Sequence, residues 1–157
     1  MEATNRKSLA GNHVVKQILS SLLISLVLIG CSTSPNQSTN STLYEELNGH
    51  TGLEQLVDAF IEQIAYDEQI FPYFAKANVD RFRDNFITHM CDVSGGPCKY
   101  QGDSMIDIHT GMNINEADFN RVVELLINAM EEIGIAYPTQ NKLLSRLAPL
   151  RPEIINK

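Results

Sequence analysis

Residues 95–111 read GGPCKYQGDSMIDIHTG, in which a broken backbone is followed by a short apolar segment containing one histidine. Two glycines and a proline interrupt regular structure, and Gly102 permits a second turn. The residues that follow have the spacing of one helix face, at Met105, Ile108, His109 and Met112. A neutral imidazole is the commonest side-chain metal ligand, and an apolar, sulfur-rich surrounding suits a flat hydrophobic cofactor. The other interpretation of His109 is a core histidine whose hydrogen bonds are satisfied.

The N-terminal residues carry the pattern of a secretory signal. A region with three positive charges precedes residues 18–29, which are apolar apart from three serines. This apolar run is too short for an ordinary membrane span. Gly30 directly before Cys31 resembles a bacterial lipobox, which implies cleavage before Cys31 and lipid attachment to that residue. The sequence therefore predicts a signal peptide at residues 1–30, and an uncleaved N-terminal anchor is the alternative.

The predicted mature chain is acidic. Residues 1–30 carry three positive charges and one negative charge, so their removal changes the formal net charge from −7 to −9. A chain with this negative charge is not expected to bind nucleic acid through electrostatic attraction. Membrane attachment would come from acyl chains rather than from a basic patch. Ser32 after Cys31 resembles the lipoprotein signals that direct a protein to the outer membrane. We therefore expect a lipid-anchored protein of the bacterial cell envelope that faces the periplasm.

A linker separates the predicted anchor from one folded domain. Residues 31–42 comprise the cysteine and a Ser-, Thr- and Asn-rich segment without charged side chains, which cannot bury a core. The folded domain is predicted at residues 43–157. The chain of 157 residues, 43% of them apolar, supports one such domain.

Two cysteines remain if Cys31 is lipidated. Cys91 and Cys98 lie on either side of the Gly-Gly-Pro break, and an exported chain sits where disulfides persist. Reversal of the chain would let the two thiols meet as a disulfide. A zinc site formed with His89 and His109 is the other possibility, although structural zinc sites normally pair their cysteines at a closer spacing.

Helix signals recur through the predicted domain, and no stretch alternates convincingly with the period of two of a strand. Residues 42–45, Thr-Leu-Tyr-Glu, have the form of a capping box that opens a short helix, which we expect Gly49 to end. Residues 51–54 form a second such box, before a helix with regular apolar spacing from Leu53 to Ile64. The sequence therefore predicts an all-α domain.

Three longer helices are expected further along the chain. Asn78 or Asp80 begins the first of them. Asn115 begins the second and Gly134 ends it. The third carries the leucines of residues 143–150.

In their order and spacing these motifs resemble the group I truncated haemoglobins over residues 43–150. The likeness rests on Leu43–Gly49, the Pro72-Tyr73-Phe74 corner, the loop Gly95–Gly102, the segment Met105–Ile114 and Phe119. Each motif alone is weak, whereas the ordered set is specific. The resemblance implies a truncated globin-like, two-over-two α-helical sandwich around haem b. It also favours iron ligation by His109 over the core-histidine interpretation.

The resemblance assigns roles to residues around the cofactor. His109 would be the proximal ligand, binding iron through Nε2, and Phe74 would pack against the porphyrin at a corner between helices. The other proximal and edge contacts would come from Tyr100, Met105, Met112, Ile114 and Phe119. Haem offers a large apolar surface for such side chains to bury, and proximal imidazole ligation leaves a sixth position for a gas.

The distal side departs from the pattern of the family. The position that usually carries tyrosine is Ile61, and the positions that often carry glutamine or lysine are Phe82, Asn85 and Phe86. Bound O₂ is held by donated hydrogen bonds, and Asn85 is the only obvious polar candidate. We therefore expect weak discrimination in favour of O₂ and relatively better binding of CO and NO. His89, one turn further on, is either a sixth iron ligand or proton donor, or a helix-packing residue.

The function expected from these observations is reversible binding of O₂, NO or CO by a haem globin tethered to the periplasmic side of a membrane. NO dioxygenase or peroxidase-like turnover would need an electron donor, which the sequence does not identify, so binding is favoured over enzymatic activity. No glycine-rich phosphate loop follows a strand to supply a flavin or nicotinamide site. The alternatives are a haem-free helical lipoprotein that binds a partner, and a thiol switch at Cys91 and Cys98.

Overall fold

The computed structural model describes residues 41–157. The predicted signal peptide, Cys31 and most of the predicted linker lie outside the described residues. The described chain forms seven α-helices and one 3₁₀ helix, and no strand occurs between residues 41 and 157, which confirms the all-α prediction. The elements are α1 (Leu43–Glu46), α2 (Gly49–Ala65), α3 (Phe71–Phe74), α4 (Val79–Val93), α5 (Met105–His109), α6 (Glu116–Glu132), α7 (Tyr137–Leu147) and the 3₁₀ helix (Ala148–Glu153).

Helix α2 is the centre of the core, because it packs extensively against both α6 and α4. Its apolar side chains recur at helical spacing, and those that become buried include Leu53, Leu56, Val57, Phe60 and Ile64. Burying one such side chain stabilises the fold by about 1.5–3 kcal/mol relative to leaving it exposed. The partner helices contribute buried residues such as Met90 from α4 and Met130 from α6. None of the helices between residues 41 and 157 is long and apolar enough to cross a membrane.

Side-chain caps begin α1, α4 and α6, as the sequence predicts. The Thr42 hydroxyl accepts a hydrogen bond from the Glu45 amide, and the Glu45 carboxylate accepts one from the Thr42 amide. Asn115 and Asp118 form the same reciprocal arrangement before α6. Of the two candidates before α4, Asn78 is the cap. These bonds satisfy amide donors that a helix leaves without partners at its first turn.

The expected boundary between α1 and α2 is wrong. Helix α1 already ends at Glu46, and Gly49 begins α2 instead of ending α1, so Thr51 lies inside α2 and does not cap it. The turn depends on two residues with left-handed backbone, Asn48 at φ 61° and Gly49 at φ 63°. Gly52 then fits directly against the preceding chain, because a Cβ there would lie 1.8 Å from the carbonyl oxygen of Leu47.

The helix that carries His109 is shorter than the sequence spacing predicts. Helix α5 ends at His109, and Gly111, at φ 83°, reverses the chain directly after it. Met112 therefore lies beyond the helix and does not continue its face. The Thr110 amide and hydroxyl both donate to the carbonyl of Ile106 and complete the last turn.

Candidate functional site

The imidazole of His109 is held in one tautomer by its own helix. Ser104 caps α5 by accepting a hydrogen bond from the Asp107 amide. One turn later, Nδ1 of His109 lies 2.7 Å from the carbonyl oxygen of Met105. Because a carbonyl oxygen can only accept, Nδ1 carries a proton, and in a neutral ring Nε2 is therefore the nitrogen with the free lone pair. A histidine that donates through one nitrogen to a backbone carbonyl presents the other nitrogen as a metal ligand.

Helix α5 leaves much of its apolar surface uncovered by protein. It contains no buried residue, although Met105, Ile106 and Ile108 are apolar, and Ile106 and Ile108 are 46% and 43% exposed. Its most extensive contact is with the 3₁₀ helix at the end of the domain. Interiors of globular proteins are normally close-packed. The uncovered apolar surface beside the His109 imidazole therefore fits a flat apolar group such as haem.

A row of aromatic rings runs from α3 along α4 to the loop that follows. The ring centroids of Phe74 and Phe82 are 5.1 Å apart, those of Phe82 and Phe86 are 5.3 Å apart, and those of Phe86 and His89 are 6.4 Å apart. The ring centroids of His89 and Tyr100 are 5.1 Å apart in an edge-to-face arrangement, and Tyr100 ends the row. All five side chains are only half-buried. This aromatic row is thus a second apolar surface that the protein itself does not fully cover.

Burial favours the neutral form of His89 within this row. Burial lowers its pKa, and the nearby Asp92 carboxylate opposes that shift only in part. Asp92 is occupied elsewhere, because it accepts hydrogen bonds from the Tyr100 amide at 3.1 Å and from Lys99 Nζ at 3.0 Å. These bonds lower the pKa of Asp92. The neutral ring of His89 packs between Phe86 and Tyr100, and its predicted role toward iron stays a prediction.

A disulfide joins Cys91 to Cys98, with the sulfurs 2.02 Å apart. Both thiols are used in this bond, so the alternative zinc site does not form, and no group of three metal-binding side chains occurs within the described domain. The bond closes the turn at Gly96, where a Cβ would lie 2.7 Å from the Cys91 sulfur. It thereby brings the segment that follows, with Tyr100, back to the end of α4.

The predicted site residues fall into three settings. Most of them are half-buried along the two uncovered surfaces or beside them: Ile61, Phe74, Phe82, Phe86, His89, Tyr100, Met105, His109, Met112 and Phe119. Asn85, the one polar distal candidate, is exposed, whereas Ile114 is buried and only 8% exposed. The structure therefore supplies apolar side chains on two surfaces, one around α5 and one along the aromatic row. The individual contacts of these side chains to a cofactor stay predictions.

The sequence analysis did not predict a polar network that joins the corner at α3 to the start of α6. The hydroxyl of Tyr73 donates to Asp118 at 2.9 Å, and Gln69 donates to the other oxygen of the same carboxylate at 3.0 Å. These two bonds, from Gln69 and then from Tyr73, lower the pKa of Asp118. The network ties the corner that carries Phe74 to the first turn of α6, which carries Phe119. No local signal pairs residues 45 positions apart, although a tyrosine beside the Pro72 corner was visible.

Comparison with known proteins gives matches that cover nearly all of the described residues. Residues 42–156 match the profile of the family described as "Bacterial-like globin". The chain is 31% identical over 114 residues to the group 1 truncated hemoglobin GlbN of Mycolicibacterium paratuberculosis, covering 73% of this chain and 84% of that protein. It is 29% identical to the GlbN of a Nostoc species, covering 74% of this chain and 99% of the relative.

Solved structures show the same fold. The Fe(III) form of truncated hemoglobin from Tetrahymena pyriformis superposes with a TM-score of 0.72 at 25% identity, covering 74% of this chain and all of that one. The 2/2 hemoglobin of a Synechococcus species, solved in the cyanomet state with covalently attached heme, superposes with a TM-score of 0.70 at 19% identity. It covers 74% of this chain and all of that one. These likenesses confirm the two-over-two helical sandwich.

Proposed function

Because the chain belongs to the bacterial-like globin family, we propose that it binds diatomic gases at a haem iron held by His109, in a pocket that lacks strong hydrogen-bond donors. The family assignment makes it a haem-binding, gas-binding globin, and haem b is the globin cofactor. The observation that supports the role of His109 is the hydrogen bond from its Nδ1 to the Met105 carbonyl, which leaves Nε2 available.

The two uncovered surfaces would have different roles: the surface at α5 would hold the iron, and the aromatic row would cover the opposite face of the haem. When bound, haem supplies an iron whose sixth position takes a diatomic ligand. Met105 would orient the imidazole of His109 through its carbonyl, while α5 and Phe119 offer apolar surface on the same side. The aromatic row, with Phe74, Phe82 and Phe86, would exclude water on the other side. Burying this apolar surface against a porphyrin is favourable by the same effect that stabilises a protein core.

The proposed gas preference follows from the chemistry of the distal side chains. Ile61, Phe82 and Phe86 donate no hydrogen bonds. O₂ accumulates negative charge when it binds iron and is stabilised by donors, whereas CO and NO depend on them less. Exposed Asn85 is a weak candidate for a donor, because water competes for its amide. We therefore expect weak discrimination in favour of O₂ and relatively better binding of CO and NO.

We also propose that the globin is lipid-anchored at Cys31 and faces the periplasm. The pattern of residues 1–31 supports this placement. The disulfide between Cys91 and Cys98 supports it independently, because such bonds persist in oxidising compartments and are rare in the cytosol.

The experiment that tests the proposed function is an absorption spectrum of the full chain purified after export, in ferric and reduced forms and with CO. We expect a Soret band corresponding to one haem per chain, which shifts when CO is added to the reduced protein. His109→Ala should lose the band. The matched control is His50→Ala, because His50 is exposed at the start of α2. A Soret band that is equal in both variants would refute ligation by His109.

A further inference from the structure

We infer that the last four residues of the chain, Ile154 to Lys157, position the iron-ligating His109 by holding the loop that follows it. We call these four residues the C-terminal strap. The inference rests on the proposed haem function. It concerns residues more than 40 positions from His109, which the sequence analysis did not connect with the site.

The strap is bonded to both ends of the loop after α5. A backbone oxygen of Lys157 accepts hydrogen bonds from the amides of Gly111 at 3.0 Å and Asn113 at 3.4 Å. The amide of Asn156 donates to the carbonyl of Ile114 at 2.9 Å. The strap thus fixes residues 111–114 through the backbone, whatever their side chains are.

Helix α5 needs such support because it is too short to be stable alone. It has five residues, and isolated helices of that length do not persist in water. It also has no buried residue that would anchor it in the core. The loop after it includes two left-handed residues, Gly111 at φ 83° and Asn113 at φ 54°. The backbone hydrogen bonds to the strap stabilise this turn. The turn fixes where α5 ends, and it therefore fixes the position of His109, the last residue of α5.

The strap is itself anchored to the start of α6. The carbonyl oxygen of Arg151, in the 3₁₀ helix, accepts hydrogen bonds from the amides of Ile154 and Ile155. Its guanidinium lies 5.6 Å from the ring centroid of Phe119 and donates to Glu116 at 2.9 Å. The 3₁₀ helix also packs against α5. The strap, the 3₁₀ helix, α5 and the first turn of α6 therefore form one connected support under His109.

A matched pair of substitutions at Asn156 tests the strap. Asn156 has φ 58°, so Asn156→Gly retains both the backbone conformation and the amide donor. Asn156→Pro removes the donor and forces φ to about −65°. A chain ending at Ile155 is the second disruptive variant, with Lys157→Ala as its control. Because Lys157→Ala keeps the backbone oxygen of residue 157, it should behave like the wild type.

The first readout needs no cofactor. Amide hydrogen exchange of the haem-free full chain should be faster at Gly111 and Asn113 in Asn156→Pro and in the shortened chain, and unchanged in both controls. The second readout is haem loss from the loaded protein to an excess of apomyoglobin. It should be about tenfold faster or more in the disruptive variants, as expected from losing one to three backbone hydrogen bonds at the support of His109.

The outcomes separate the two claims. Equal exchange and equal haem loss in Asn156→Pro and Asn156→Gly would overturn the strap while leaving the proposed function intact. If the proline variant does not fold, the same comparison between the shortened chain and Lys157→Ala decides the question. A wild-type chain without a Soret band would refute the proposed function, and the positioning role with it.

Discussion

A single residue, Ile61, carries the proposed difference between this protein and a globin whose pocket holds O₂ strongly. Ile61 directly follows the fully buried Phe60 in α2 and is itself half-buried. At this position the group I truncated haemoglobins, which the sequence resembles, usually have tyrosine. The absence of a hydroxyl at this one position removes the donor that would stabilise bound O₂.

Restoring a donor at residue 61 should slow the release of O₂. Ile61→Tyr adds a hydroxyl, and a hydrogen bond to a group that carries charge slows dissociation by about tenfold or more. Stopped-flow or flash-photolysis measurement of O₂ and CO dissociation checks this, and we expect the CO rate to change much less. Ile61→Phe is the matched control, because it adds the ring without the hydroxyl. A wild-type O₂ dissociation rate already as slow as that of Ile61→Tyr would contradict the donor-poor pocket.

At the scale of elements, the site depends on bonds between helices that are far apart in the sequence. Tyr73, in α3, donates to Asp118, at the start of α6, and so joins the corner beneath Phe74 to the helix that carries Phe119. The carboxylate form of Asp118 is the one that accepts these hydrogen bonds, and its lowered pKa reflects them. A group with a lowered folded-state pKa stabilises the fold above its unfolded pKa of about 4, and this contribution is lost as the pH falls.

Removing the Tyr73 hydroxyl should therefore destabilise the protein more at neutral pH than in acid. We expect Tyr73→Phe to lower the Tm by about 3–6 °C at pH 7. The reduction should become smaller toward pH 3, where Asp118 is increasingly protonated in both proteins. Thermal unfolding followed by circular dichroism at the two pH values measures this. Tyr66→Phe, at a position 82% exposed, should change neither Tm. An equal loss at both pH values would show that the carboxylate is not the partner that matters.

The sequence predicts the elements better than the connections between them. Helix α6 was predicted from the Asn115 cap and its apolar spacing, because both signals are local. The start of α2 was wrong, because close packing of Gly52 on the Leu47 carbonyl outweighed an apparent cap at Thr51. The end of α5 was also wrong, because Gly111 reverses the chain there and the strap, 46 residues away, fixes the reversal. Such long-range contacts leave no periodic pattern in the sequence.

At the scale of the whole molecule, the chain has a globin domain, and we propose that a lipid anchor holds this domain on the periplasmic side of a membrane. The fold and the cofactor follow from the family, to which residues 42–156 belong. The proposed anchor rests on the sequence pattern of residues 1–31 alone, whereas the disulfide supports only an oxidising compartment. His109 and the glycine breaks could be singled out from the sequence because they lie in one short stretch. The polar network and the strap could not be, because their partners come from distant segments.

Removing the predicted lipid acceptor should move the globin from membrane to soluble fractions. In a bacterium with lipoprotein export, Cys31→Ala should retain the haem spectrum and appear with the soluble fraction or remain unprocessed. Cys98→Ser is the control, because it leaves the anchor intact. Fractionation followed by immunoblotting measures the distribution. An unchanged membrane association of Cys31→Ala after cleavage of the signal would contradict lipid anchoring.

The most direct test of the account is to replace the ligand of the iron by a diffusible one. His109→Gly removes the imidazole and leaves space for free imidazole to enter. We predict that the reduced variant loses the wild-type absorption spectrum and that added imidazole restores it, including its response to CO. A His109→Gly protein that keeps the wild-type spectrum without imidazole would show that another residue ligates the iron, and the central claim would be wrong.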